Sequence, residues 1–216
     1  MIVLAIDTAG VDCSAAVYDR QHSVVLAEVS ETLGKGHAER LMAMIDEALA
    51  KAGRDLREVS RIAVTVGPGS FTGIRVGVAA ARGLALALGV ECVGVSTLAV
   101  LAATAPNDKQ GRVGAAINAH RGEIYFQSFA EGIPLDEPVV LSLETFLEEA
   151  SLPDMTVVGS AASMLDDPNS VTPADHFPIA LVARLGAEAK AQGKPSPLYL
   201  RGPDAKPQTG FAVSRL

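Results

Sequence analysis

The chain has 216 residues, enough for one large domain or two small ones that share an interface. Hydrophobic residues make up 49% and the mean hydropathy is +0.28, which excludes a disordered chain. Eighteen Lys and Arg stand against 25 Asp and Glu, a formal net charge of −7. That charge argues against a protein that wraps nucleic acid by itself, because such binding rests on neutralising phosphates.

Ile2 to Ile6 is an apolar run stopped by Asp7-Thr8-Ala9-Gly10, read as a first strand and its turn. No basic region precedes the run, so no secretory signal is predicted and the chain is expected to be cytoplasmic. Cys13 to Tyr18 and Ser23 to Val29 read as two strands around Arg20-Gln21-His22. From His37 the period becomes helical, with Leu41, Ile45, Ala48, Leu49 and Ala52 three and four apart until Gly53. Ile62 to Val66 is a strand that runs into Gly67-Pro68-Gly69-Ser70-Phe71-Thr72-Gly73. A second helix is predicted over 72–88, a strand over 91–95, and a short helix over 97–103 begun by Ser96 as its cap. Thr104 to Gly111 reads as a linker. Beyond it come strands over 112–118 and 123–129, a helix over 143–149, a strand over 155–158 and a helix over 178–191. Three leading strands, with a helix returning to add a parallel one, predict a mixed sheet covered by helices.

Chemistry is sparse along this order. Asp7, beside Thr8 and Ala9, either holds a metal-bound phosphate or caps a turn. The block Gly67, Gly69, Ser70, Thr72, Gly73 and Arg75 sits where a strand enters a helix. It lacks the Lys of a phosphate loop, and so reads either as an anion-binding turn or as a tight turn for close packing. Arg75 opposes the helix dipole there, which favours a ligand or partner carboxylate. His37 reads as a cap or a surface residue, and His22, His120 and His176 form no ligand set. Cys13 and Cys92 read as two buried thiols with no metal spacing, and no G-x-S-x-G elbow appears. The apolar stretches from Val76 and Cys92 are broken by Arg82 or too short for a bilayer, so no membrane is expected. The 72–88 helix has scarcely a polar face and is expected to be buried all round, by a second chain or by the C-terminal half. Leu41, Ile45, Gly77, Ala80, Ala81 and Leu84 are the predicted partner interface.

These motifs resemble the TsaB (YeaZ) family. The matching pieces are IVLAIDT from Ile2, HAERL from His37, GPGSFTGIRVG from Gly67, GLA from Gly83, GVSTL from Gly94 and PLYLR from Pro197. Asn118 to Tyr125 is similar to the family's D-A-R-x-x-E-V-Y segment, with Asn118 in place of Asp and His120 in place of Arg. The resemblance implies an actin- and Hsp70-like (ribonuclease H-like) ATPase fold of two subdomains, residues 1–104 and 105–216. It implies a non-catalytic partner of the TsaD paralogue, working with the ATPase TsaE. Their product is threonylcarbamoyladenosine at position 37 of tRNAs that read codons beginning with A. It also implies that the isolated chain pairs with itself, that tRNA is met through the complex, and that ATP or ADP acts at the level of the complex. The paralogue's metal-binding H-x-x-x-H falls here on Thr97 and Leu101, its D-x-G on Asp7-Thr8-Ala9, and a second glycine turn near Asn118-Ala119-His120. No catalytic residue, metal or tightly bound cofactor is therefore expected. The competing expectation is an independent ATP-dependent enzyme or a peptidase of the same fold.

Overall fold

The structure is a computed structural model that describes residues 1–106, 111–191 and 193–201. The first sheet contains β1 (Ile2–Asp7), β2 (Asp12–Asp19), β3 (Val24–Thr32), β4 (Val59–Gly67) and β5 (Glu91–Ser96), in the order β3-β2-β1-β4-β5. β1, β2 and β3 are antiparallel neighbours, whereas β4 and β5 join parallel, with Ala5 paired to both Ala16 and Ala63. β1 and β2 are buried along their whole length, as a central strand covered on both faces must be.

Three helices supply that cover. α1 (His37–Ala52) and α2 (Phe71–Leu88) lie on one face, and α5 (Ile179–Glu188) lies on the other. Adjacent residues of β4 show this division. Val64 lies against Gly77 of α2, and Ala63 lies against Gly186 of α5. α1 buries Leu41, Met44, Ile45, Ala48 and Leu49 on its inner side, and Gly53 closes it at φ 62°, donating to Leu49 and Ala50 carbonyls.

The second sheet contains β6 (Arg112–Asn118), β7 (Glu123–Ala130), β8 (Ile133–Pro134), β9 (Val139–Ser142) and β10 (Met155–Val158). Its order is β10-β6-β7-β8, with β9 also on β7. α4 (Leu143–Ala150) covers it through Phe146, whose ring meets Phe126 edge-on at 6.1 Å. α3 (Thr97–Ala102) packs between β4 and β6 and joins the two halves. All described strands of the first sheet precede residue 104 and all of the second follow 105. Even so, α5 and the segment 195–201 return to the first sheet, so the second half does not pack independently of it.

Several local expectations are corrected. α2 is not buried all round: its sheet side is closed, while Thr72, Arg75, Ala79, Arg82, Gly83 and Leu86 face water. It is long and apolar enough to cross a membrane by length and composition, but one side is committed to the sheet. Ser96 stands at the N-cap of α3 without a side-chain cap bond, and its buried Oγ has no partner among the described residues. Cys13 is buried and Cys92 only half-buried. The last helix ends at Glu188 and not at 191. There Arg61 Nη1 donates to the carbonyls of Ala187 and Ala189 at 3.0 and 2.9 Å, taking the helix's terminal acceptors. β8, β9 and the 3₁₀ turns at Leu56–Glu58 and Ser160–Leu165 were not expected from the sequence. Part of the predicted linker, residues 107–110, lies outside the described residues.

The α5 contact is tight enough to test. A Cβ on Gly186 would overlap that of Ala63 in the middle of β4. Gly186→Ala should lower stability by about 1–3 kcal/mol, as overpacking does. Urea denaturation checks this, and an unchanged midpoint would mean that α5 sits farther from the sheet.

Candidate functional site

The site is built where β1 ends against the β4–α2 junction. Gly67, whose peptide to Pro68 is cis, begins a loop that folds onto residues 7–9. Ser70 N–H donates to Ala9 O at 2.8 Å, and Thr8 Oγ1 donates to Gly73 O at 2.7 Å. Ser70 caps α2 by accepting from Gly73 N–H at 3.2 Å. A Cβ on Gly69 would stand 2.5 Å from Ala9 O, and one on Gly73 or Gly77 would overlap Thr8. The loop is closely packed: at Gly69 and Gly73 glycine is needed because backbone meets backbone.

Asp7 lies under this lid with no exposed surface. Its Oδ1 accepts from Thr65 Oγ1 at 2.6 Å and from Ala9 N–H at 3.0 Å, while Oδ2 has no partner among the described residues. Burial raises its pKa to about 6, partly offset by the Thr65 bond. Thr97 and Leu101 are equally enclosed. Thr97 Oγ1 donates to Pro68 O at 2.6 Å, and Leu101 belongs to the core.

A cleft of about 480 Å³ opens beside this junction. One wall is Ala9, Gly10 and Ser70, and the other is Asn118, His120, Ser160 and Asp175. Asn118 Oδ1 accepts from His120 N–H at 2.8 Å and its amide donates to Thr172, so the β6–β7 turn closes on itself. Asp175 accepts from Ser160 N–H and Oγ at 3.1 and 2.9 Å, and burial raises its pKa. That wall thus presents one carboxylate, Asp175, among hydroxyl, amide and imidazole groups. Among the described residues, no three His, Cys, Asp or Glu side chains converge as metal ligands.

The remaining predicted residues separate. Arg75 is outside the cleft, its guanidinium 3.6 Å above the Phe71 ring and its Nε donating to Tyr199 OH at 2.7 Å. Of the six interface residues, Leu41, Ile45, Gly77 and Ala81 face the chain's own sheet and are closed to a partner; Ala80 and Leu84 are half-buried. His37 is corrected from cap to core: it is buried, with Nε2 3.1 Å from Asp12 O, and Gly36 takes the N-cap place. Asp175 and Ser160 carry no periodic signal and meet through long-range folding, whereas Tyr199 stands in the PLYLR motif with no role assigned to it from sequence.

Known proteins resemble this arrangement. A family model described as TsaD, tRNA N6-adenosine threonylcarbamoyltransferase, matches residues 25–135. The tRNA threonylcarbamoyladenosine biosynthesis protein TsaB of Escherichia coli (strain K12) is 40% identical over 131 residues, 60% of this chain and 55% of that protein. That of Buchnera aphidicola (subsp. Schizaphis graminum) is 36% identical over 129 residues, 59% and 60%. The chain therefore matches somewhat more than half the length of these curated relatives. An uncharacterized protein of Mycobacterium tuberculosis (strain H37Rv) is 34% identical over 207 residues, 95% of this chain and 94% of its own. Among solved structures, YeaZ from Pseudomonas aeruginosa superposes with a TM-score of 0.73 at 28% identity, covering 92% of this chain and 99% of that one. An inorganic polyphosphate/ATP-glucomannokinase from Arthrobacter shares the fold, with a TM-score of 0.51 at 15% identity over 86% of this chain and 98% of that one.

The buried carboxylate makes a pH prediction. A carboxyl whose folded pKa lies above its unfolded value holds its proton more tightly in the folded state. Its contribution is therefore most favourable at low pH and declines as pH rises from about 4 through 6. Asp7→Asn keeps the Oδ1 acceptor and removes the charge. Its stability relative to the parent should rise by up to roughly 3 kcal/mol between pH 4 and pH 7. Urea melts of both proteins across that range decide it, and a constant difference would show that Asp7 is not sealed from water.

Proposed function

The chain belongs to the TsaB (YeaZ) family, and from that premise we propose that it serves tRNA threonylcarbamoyladenosine formation as a non-catalytic partner of a TsaD-type paralogue. The observation that carries the reading is the outward side of α2. Its residues Ala79, Gly83 and Leu86 are exposed, Leu86 to 82%, although the helix has the composition of a core element. α1 packs beside it, with Glu39, Met42, Ala43 and Asp46 outward. Small residues in the middle of the α2 side let a second helix approach closely. The two helices also carry opposite charge, Arg75 and Arg82 on α2 against Glu39 and Asp46 on α1. Such a surface fits a helical partner of the same fold and, in the paralogue's absence, a second copy.

The cleft supports the same reading. The carboxylate that lines it, Asp175, is bonded to Ser160, Asp7 is sealed beneath the glycine loop, and the loop's Ser70 N–H is already bonded to Ala9. On this proposal ATP or ADP acts in the assembled complex with TsaE, tRNA is reached through that complex, and the chemistry belongs to the paralogue. The setting is the cytoplasm.

Ala79→Arg tests the proposal. Ala79 is exposed, so circular dichroism and melting should be unchanged. Affinity for the paralogue should fall by at least tenfold, the scale of a disrupted interface centre, and reconstituted tRNA modification should be lost. Normal binding by the folded variant would place the docking surface elsewhere. ATP turnover by the purified single chain would favour an independent enzyme.

A further inference from the structure

Residues 195–201 have no regular secondary structure, yet they touch both halves of the chain in succession. Pro195 lies beside Gly94 of β5, and Leu198 N–H donates to Val66 O at 2.8 Å. Tyr199 meets Phe71 with ring centroids 5.6 Å apart and planes tilted by 39°, and accepts from Arg75 in the first turns of α2. Arg201 then crosses to the β6–β7 turn. It donates to Ala119 O at 3.2 Å and pairs with the Glu123 carboxylate. The two places so joined, the 67–75 loop and the 118–123 turn, supply opposite walls of the cleft.

The turn at the far end is strained. His120 and Arg121 follow one another at φ 60° and 57°, a left-handed conformation that side chains other than glycine adopt at a cost. Such a turn persists where neighbours over-determine it, and Arg201 supplies two of the restraints. Arg75 at the near end borders the outward side of α2. Its Nε is bonded to Tyr199, and its guanidinium lies 3.6 Å from the Phe71 ring and 5.5 Å from that of Tyr199.

We propose that residues 195–201 form a strap that couples the first turns of α2 to the β6–β7 turn, so that occupancy beside Arg75 sets the freedom of the far cleft wall. The strap itself stands on contacts within the chain. Only the identity of what presses on Arg75 rests on the docking reading given above.

Hydrogen exchange on the full chain separates the two. The amides of Ala119 and Glu123 close the turn, donating to Glu123 O and His120 O. Arg201→Ala should speed their exchange roughly tenfold, the effect of losing one charge-assisted hydrogen bond. Tyr199→Ala, at the other end of the strap, should also speed it, and the double variant should be no faster than the faster single one. Arg201→Lys should restore part of the protection. Exchange in β1 serves as the control that the variants stay folded. If Tyr199→Ala leaves the turn unchanged, or if the two effects multiply independently, the strap does not couple the ends and the proposal falls. Adding the TsaD paralogue should slow exchange of the turn in the parent and not in Arg201→Ala, with binding retained in both. If the parent fails to bind, the docking reading fails and the strap still stands on the single-chain result. If both bind and both slow alike, coupling runs by another route and the strap is overturned.

Discussion

The structure depends on three glycines that let α2 lie directly on the end of β1. Gly69, Gly73 and Gly77 meet Ala9 and Thr8 at distances that a methyl group would block. At Gly69 and Gly73 the contact is with backbone, which no side-chain rearrangement relieves, and at Gly77 it is with the buried Thr8 hydroxyl. Its consequences run outward. It seals Asp7, commits the Ser70 N–H to Ala9, and fixes the azimuth of an 18-residue helix on the sheet. Once Gly77 and Ala81 face inward, the helical period leaves Ala79, Arg82 and Leu86 no place but the surface.

Sealing has an electrostatic side. A carboxylate in open water at a strand end is a plausible metal or phosphate partner by chemistry alone. The same group with no exposed surface, one oxygen unpartnered and a raised pKa is a cost to the folded state above pH 6. The charge that remains available for recognition lies elsewhere, in the rows presented by α1 and α2. A net charge of −7 disfavours free association with tRNA, but it does not oppose a contact organised as local pairs of opposite sign.

Much of this was legible in the residues. A continuous apolar run marked β1 and a three-to-four period marked α1, because a strand covered on both faces buries every residue and a helix on a sheet buries one side. What escaped was set by contacts between distant residues. An apolar helix such as α2 does not announce which side meets its sheet, so Leu41, Ile45, Gly77 and Ala81 were expected at a partner and belong to the core. The end of α5 was misplaced because Arg61, more than 120 residues earlier, takes its last carbonyls. β9 has four residues following Pro138 and β8 has two, too few to show a period. His37 looked like a helix cap because Asp12, its partner, is brought near by the return of β3.

The segment 195–201 shows the same limit from the other direction. Rich in proline and without a period, it offers no element to predict, yet beside α3 it touches both the first sheet and the β6–β7 turn. Irregular backbone is suited to this task. It can turn between a strand end, a helix start and a hairpin within seven residues, which a helix rising 1.5 Å per residue cannot do. A fold with two sheets about a cleft needs such a connection if its walls are to move together, because the sheets themselves share no hydrogen-bonded strand. With the glycine loop filled by the chain itself, the relation between that loop and the wall of Asn118, Ser160 and Asp175 is the property of the cleft that the proposed strap would transmit.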